Sequence, residues 1–151
     1  MKKNMIRFVA LFGFVFALSA VNVFAQGKPM LKADIPFDFS AANRTLPAGE
    51  YTVKELSSLS GNLIAVTNGK AAVGVQTMQA HSTKPAGKAM LVFRRYGDQY
   101  FLAKVIYKGG TMGQEIIKTS AEKKAIKGDS NRHLAQRDAK PELVTIVAEQ
   151  Q

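Results

Sequence analysis

Apolar and polar residues alternate one by one in the stretch that follows the N-terminal apolar run. Apolar side chains occupy every second position of residues 31–39, with Lys32, Asp34, Pro36 and Asp38 between them. A period of two is typical of a β-strand with one buried and one exposed face. Because Pro36 has no N–H to donate, we expect this strand to lie at a sheet edge or to be bulged there.

The densest β pattern lies in residues 89–108, where two runs rich in aromatic and β-branched residues flank Gly97-Asp98. Glycine at the first central position favours a two-residue type II′ turn. A three-residue loop, which shifts the pairing by one, is the alternative. Both faces of the hairpin are largely apolar, which predicts a central place in a sheet that is covered on both sides. The two-residue loop pairs Arg95 with Tyr100, Arg94 with Phe101, Phe93 with Leu102 and Val92 with Ala103.

A second hairpin is predicted at Asn68-Gly69, a strong signal for a tight turn between residues 62–67 and 70–79. This turn places Val66 opposite Ala71. The other predicted strands are 50–56, which follows a type I turn at Leu46-Pro47-Ala48-Gly49, then 114–118, and 143–148 as a last strand or an exposed tail.

One short helix is predicted near the C-terminus. Thr119-Ser120-Ala121-Glu122 fits a capping box, with Thr119 as the N-cap and the Glu122 side chain reaching back to its N–H. The helix then covers Ser120–Lys127 and ends at Gly128.

Seven or eight short strands with frequent turns and one short C-terminal helix predict an all-β fold. An antiparallel sandwich and a small antiparallel barrel both fit this spacing. The predicted organisation is a signal peptide at 1–25, an antiparallel β-domain with its terminal helix at 26–128, and a polar linker followed by a last strand or tail at 129–151.

The N-terminal residues have the three parts of an export signal. Lys2, Lys3 and Arg7 precede an apolar run at 8–21, and Val23-Phe24-Ala25 supplies small residues for cleavage before Gln26. A retained membrane anchor is the alternative, but the apolar run is shorter than the ~20 residues of a spanning helix. We therefore predict a soluble protein of the periplasm or the extracellular space, with no transmembrane segment after cleavage.

Charge and cysteine content narrow the classes of partner. Cleavage removes 3 of the 21 basic residues and none of the 11 acidic ones, which leaves a net charge of +7. For an exported protein this charge favours an anionic envelope polymer or glycan over nucleic acid, although solubility alone also explains it. The chain has no cysteine, so disulfides, cysteine-based zinc sites and thiol nucleophiles are excluded.

No motif for catalysis, metal binding or a cofactor is present. His81 and His133 lie in predicted loops without a second histidine nearby, whereas a zinc or copper site needs at least three ligands. Ser120-Ala121-Glu122-Lys123 matches a bare S-x-x-K pattern, but the other motifs of those serine enzymes are missing. We therefore predict no catalytic, cofactor or metal residues and a protein that is not an enzyme.

The one candidate binding surface lies in the 89–108 hairpin. Arg94 and Arg95 stand beside Tyr96 and Tyr100, and arginine with tyrosine can form a cation–π surface for sugars or anions. The alternative is cross-strand packing of long side chains on a sheet, which places the same residues without any ligand.

Three motifs together resemble a family: Ile-Pro-Phe-Asp-Phe at 35–39, Leu-Pro-Ala-Gly-Glu-Tyr at 46–51 and Arg-Tyr-Gly-Asp-Gln-Tyr-Phe-Leu at 95–102. They are similar to small exported proteins of unknown function that recur in Acidobacteria-type soil bacteria. The resemblance implies a compact antiparallel β-domain with a short charged helix. Lys123 and Lys124 stand where the family leads us to expect arginine. The resemblance implies no activity.

Our leading functional hypothesis is a non-enzymatic exported β-domain that binds anionic or glycan components of the cell envelope. The first alternative is a small barrel that carries an apolar ligand in its interior. A hydrolase with dispersed carboxylates ranks last.

Overall fold

The computed structural model describes residues 30–56, 62–132 and 141–151. The predicted signal peptide, the loop at 57–61 and His133 lie outside these residues. In the described residues, ten strands and one helix follow in chain order: β1 (Met30–Ile35), β2 (Phe39–Ala41), β3 (Arg44–Leu46), β4 (Gly49–Leu56), β5 (Leu63–Thr67), β6 (Ala72–His81), β7 (Ala89–Tyr96), β8 (Gln99–Ile106), β9 (Met112–Ile116), α1 (Ser120–Arg132) and β10 (Glu142–Gln150).

Eight of the strands form a closed antiparallel barrel. Around the barrel the order is β7, β10, β1, β4, β5, β6, β9 and β8, and β8 pairs with β7 to close the ring. The all-β prediction with one short helix is confirmed, and the structure selects the barrel over the sandwich. The strands β2 and β3 form a small hairpin outside the ring, and β2 pairs with β8 in parallel.

The barrel interior is filled with side chains, as expected for eight strands. Alternation along each strand directs one set of residues inward. The aromatic rings of Phe39, Tyr51 and Phe93 are buried among aliphatic residues. The other large, fully buried aliphatic side chains are Leu31, Ile35, Val53, Ile64, Val66, Val75, Leu91 and Leu102.

One end of the barrel is closed by aromatic rings from the segment between β1 and β2. Strand β1 ends at Ile35, directly before Pro36, because proline cannot continue the hydrogen-bond ladder. The chain then crosses the barrel end. The Phe37 ring stacks on Tyr100 with centroids 4.0 Å apart, and the Phe39 ring meets Phe93 edge to face at 5.4 Å.

The β7–β8 hairpin has the predicted two-residue loop. Tyr96 pairs with Gln99, and Gly97 has a φ of 58°, a backbone conformation that glycine adopts readily. The predicted pairs from Arg95–Tyr100 to Phe93–Leu102 are confirmed. The pairing of Val92 with Ala103 is wrong: a bulge in β8 leaves Ala103 unpaired, and Val92 pairs with Lys104.

The β5–β6 hairpin has a longer loop than the Asn-Gly signal predicts. Thr67 pairs with Ala72, and Val66 pairs with Val73 rather than with Ala71. The Asn68 side chain closes this four-residue loop by accepting hydrogen bonds from the N–H groups of Lys70 and Ala71. A slip of two residues keeps every side chain on its own face of the sheet, so the buried pattern is unchanged.

The helix α1 begins as predicted and ends later. Thr119 Oγ accepts a hydrogen bond from the Glu122 N–H at 3.2 Å, which confirms the N-cap. The Glu122 side chain does not reach back, since it is buried against the barrel wall. Helix α1 continues through Gly128, so the predicted end at that glycine is wrong. Of the two predictions for residues 143–148, the last strand is confirmed: β10 lies between β7 and β1.

Candidate functional site

The four residues of the predicted surface lie on two opposite faces of the barrel wall. Arg94 and Tyr96 point outward beneath helix α1, because they alternate with the inward-facing Phe93. Arg95 and Tyr100 are a cross-strand pair on the other face, near the barrel end that Phe37 closes. The structure therefore brings these residues together as two separate pairs and not as one surface.

Beneath helix α1, the outward pair forms a buried polar cluster with Glu122. Glu122 is 1% exposed and Arg94 is 6% exposed. The guanidinium of Arg94 donates through Nε and Nη2 to the two carboxylate oxygens of Glu122, the second at 3.1 Å. The Tyr96 hydroxyl donates to the same carboxylate at 3.2 Å, and Arg94 also donates to the backbone oxygen of Ile116. These contacts dock the helix on the barrel.

The inward pair, Arg95 and Tyr100, is more exposed, and the Arg95 guanidinium already has partners. Arg95 donates to the backbone oxygen of Gly97 at 2.8 Å and pairs with Glu142 at 3.3 Å. Its guanidinium lies 5.5 Å from the centre of the Tyr100 ring, which is within cation–π distance. The Tyr100 ring is covered on one side by Phe37.

The buried cluster continues along the outer wall as a row of alternating charges. Glu115 on β9 lies 4.0 Å from Nη1 of Arg94 and 3.5 Å from Nζ of Lys104. The order across the wall is thus Lys104, Glu115, Arg94, Glu122, which we call the charge row. Lys104 ends this row and lines a cavity.

This cavity arises from the topology of the barrel. Strands β9 and β8 lie between β6 and β7, so the loop of residues 82–88 that joins β6 to β7 must cross the end of the β8–β9 hairpin. Backbone hydrogen bonds fix the crossing: Ser82 N–H donates to Thr111 O, and Ala86 N–H donates to Gly110 O. Between the loop and the outer wall lies a cavity of about 560 Å³, here called the crossover cavity.

The lining of the crossover cavity combines basic, hydroxyl-bearing and apolar residues. Among the residues that the structure describes, the charged and titratable ones lining it are His81, Lys84 and Lys104, with no aspartate or glutamate. Ser82, Thr83 and Thr111 add hydroxyl groups. Its apolar floor includes Met90, Ile106 and Met112.

Such a lining suits the binding of an anion. Lysine and serine side chains can donate hydrogen bonds to phosphate, sulfate or carboxylate oxygens. Within residues 30–56, 62–132 and 141–151, no three histidine, aspartate or glutamate side chains are placed to hold a metal ion. In the same residues, no helix has the length and apolar character required to cross a membrane.

Two tyrosines have strongly raised pKa values. Burial, together with the charge of Glu122, raises the pKa of Tyr96 to about 12. Burial, together with the charge of Glu55, raises the pKa of Tyr107 to about 12. Both shifts favour the neutral phenol, because a phenolate there would be poorly solvated and close to a carboxylate.

We expect these two tyrosines to limit stability at high pH. In the unfolded chain a tyrosine releases its proton near pH 10, whereas in the fold Tyr96 and Tyr107 keep theirs to about pH 12. The contribution of the two protonated tyrosines to the free energy of unfolding is thus present below pH 10 and is lost as the pH rises from 10 to 12. Absorbance titration of the phenolates should show a step near pH 12 that Tyr96→Phe and Tyr107→Phe each reduce. Complete titration below pH 11 would contradict the shifts.

Comparison with protein-family models, with curated proteins and with solved structures finds no match for this chain. Its function must then follow from the side chains that the fold brings together. Sequence reasoning missed the crossover cavity, because His81, Lys84 and Lys104 come from different elements that only the barrel order brings together. Lys84 and Lys88, in the loop between β6 and β7, were the one sign in the sequence of a basic site there.

Proposed function

We propose that this protein is a non-enzymatic exported barrel that binds an anionic component of the cell envelope in the crossover cavity. The observation that carries the proposal is the lining of this cavity, where the described part of the chain supplies His81, Lys84 and Lys104 and no carboxylate. A net charge of +7 on the mature chain also attracts anions over longer distances.

The charge row gives Lys104 a partner when no ligand is bound. Lys104 lies 3.5 Å from Glu115, and both side chains are partly exposed. An anion in the cavity competes with Glu115 for this ammonium group. Glu115 retains Arg94 at 4.0 Å as a second cation, so its carboxylate keeps a counter-charge when Lys104 turns to a ligand.

The barrel interior is less suited to a ligand than the outer wall. Phe39, Tyr51 and Phe93 are buried there with many aliphatic side chains, and these residues fill the space that an apolar ligand would need. The hypothesis of an interior carrier is therefore ranked below anion binding on the outer wall.

Binding of phosphate and carboxylate polymers to the mature chain (residues 26–151) tests the proposal. We expect calorimetry at low salt to detect binding of polyglycerol phosphate or polygalacturonate, with neutral dextran as the control. Lys104→Met should weaken binding about tenfold, because it removes a charge-assisted hydrogen bond. Glu115→Gln should strengthen it about two- to fivefold, since it frees Lys104 from an exposed ion pair.

Lys32→Met is the matched control. Lys32 also forms an ion pair with a glutamate on a neighbouring strand, Glu50 at 3.0 Å, and has a similar exposure, but it lies on β1 and does not line the cavity. An equal loss of affinity in Lys32→Met and Lys104→Met would show general charge attraction and would overturn the site. Absence of binding at low salt to both anionic polymers and to small organic anions such as alkyl sulfates would overturn the function.

A further inference from the structure

A line of apolar residues runs across the outer wall through the crossover cavity, between the positions of Lys104 and His81. Val147 pairs with Met90, Met90 with Ile106, Ile106 with Gly113, and Gly113 with Ala80. Cross-strand partners share a face of the sheet. These five residues, the apolar row, therefore point outward together and alternate with the inward-facing Leu91 and Val105, which are buried in the core.

The apolar row begins inside the cavity and continues beyond it. Ala80, Gly113, Ile106 and Met90 line the cavity, whereas Val147 lies past its edge and is 58% exposed. The five strands make the row roughly 19 Å long, from a spacing of ~4.8 Å between neighbours. Gly113 has no side chain and must remain glycine, because a Cβ there would lie 2.8 Å from the backbone oxygen of Val105.

We infer that the ligand of the crossover cavity is an amphipathic anion with one extended alkyl or acyl chain. Its phosphate, sulfate or carboxylate group binds His81, Lys84 and Lys104, and its chain lies along the apolar row toward Val147. This inference rests on the proposed function, since it specifies the class of anion that the same cavity takes.

The combination of residues supports this class over a simple ion or a polysaccharide. A small inorganic anion contacts only the basic residues and leaves Met90 and Ile106 exposed to water. A hydrophilic polymer makes no use of an apolar floor that continues onto an exposed valine. An amphiphile contacts both groups of residues, because its charged group binds the basic residues while its chain covers the apolar row.

A series of alkyl sulfates from ethyl to decyl, kept below the micelle concentration, tests the inference with the mature chain. We expect the affinity to rise about three- to fourfold for each added methylene that the row covers. Alkyl maltosides of the same chain lengths, which carry no charge, should bind at least tenfold more weakly.

Two variants and a control test whether the alkyl chain binds along the apolar row. Met90→Ser should flatten the dependence of the affinity on chain length. Val147→Ser should reduce only the gain from the longest chains, and Val147 is exposed and lies outside the cavity lining. Met78→Ser is the control, because Met78 is an outward methionine with 53% exposure that does not line the cavity.

The outcomes distinguish the failure of this inference from the failure of the proposed function. If ethyl and decyl sulfate bind equally well through Lys104, the alkyl chain has no site and the inference is overturned, while anion binding stands. If maltosides bind as tightly as sulfates, the charged group has no role and the inference is also overturned. If neither alkyl sulfates nor anionic polymers bind, both proposals are overturned.

Discussion

Replacing Arg94 with methionine should lower the free energy of unfolding by about 3–5 kcal/mol, the loss expected when one partner of a buried ion pair is removed. Glu122 is 1% exposed and receives two hydrogen bonds from Arg94. Without the guanidinium, the Glu122 carboxylate remains buried, and among the described residues it keeps a hydrogen bond from the Tyr96 hydroxyl but no neutralising cation. Urea denaturation at pH 7 measures the change.

The neighbouring arginine supplies the matched control. Arg95 pairs with Glu142 at the surface, so Arg95→Met should cost at most about 1 kcal/mol. The double variant Arg94→Met/Glu122→Leu should recover most of the loss, because it removes both charges at once. If Arg94→Met and Arg95→Met have equal effects, the cluster beneath the helix does not dock it as described.

Replacing Phe39 with alanine should destabilise the barrel by about 3–5 kcal/mol. Phe39 is 1% exposed, and its ring meets Tyr51 and Phe93 edge to face at 5.0 and 5.4 Å. Truncation removes both ring contacts and leaves a void at the barrel end that the segment after β1 closes. Thermal unfolding followed by circular dichroism measures the effect.

Two further variants serve as comparisons for Phe39→Ala. Phe39→Leu keeps most of the buried volume and should be markedly less destabilising than Phe39→Ala. Leu143→Ala, at a side chain that is 62% exposed on β10, should change stability by no more than about 0.5 kcal/mol. A small effect of Phe39→Ala would mean that the barrel end does not depend on this ring.

Local patterns predicted the hairpins and their faces because those features depend on neighbouring residues. The glycine at 97 determines a two-residue loop, and the alternation from Leu31 to Ile35 determines which side of β1 is buried. The bulge at Ala103 escaped prediction. It depends on how β8 curves to reach both β7 and β9, and such curvature follows from closing the ring.

The role of Glu122 could not be read from its own surroundings in the sequence. Its position three residues after Thr119 favours a capping box, whereas in the fold its carboxylate turns to Arg94, 28 residues earlier. One signal was present: an arginine within a strand of otherwise apolar residues needs a partner if it is buried. That signal predicts an acidic partner without saying which one.

The crossover cavity depends on the order of the strands, which the sequence left open between a barrel and a sandwich. Because β8 and β9 lie between β6 and β7, the 82–88 loop crosses the end of the β8–β9 hairpin. Lys104 then lines the cavity beside this loop. Residues that are distant in sequence then share one site. The apolar row likewise requires the register of five strands, so no single segment of the chain displays it.

The position of β10 determines when the barrel can be completed during synthesis. Its pairing with β1 joins the first and last described strands through Leu31–Gln150 and Lys32–Glu149. Until β10 emerges, β1 and β7 each have an open edge that can pair with another chain. A nascent chain of this topology therefore cannot close its barrel until the last of the described strands has been synthesised.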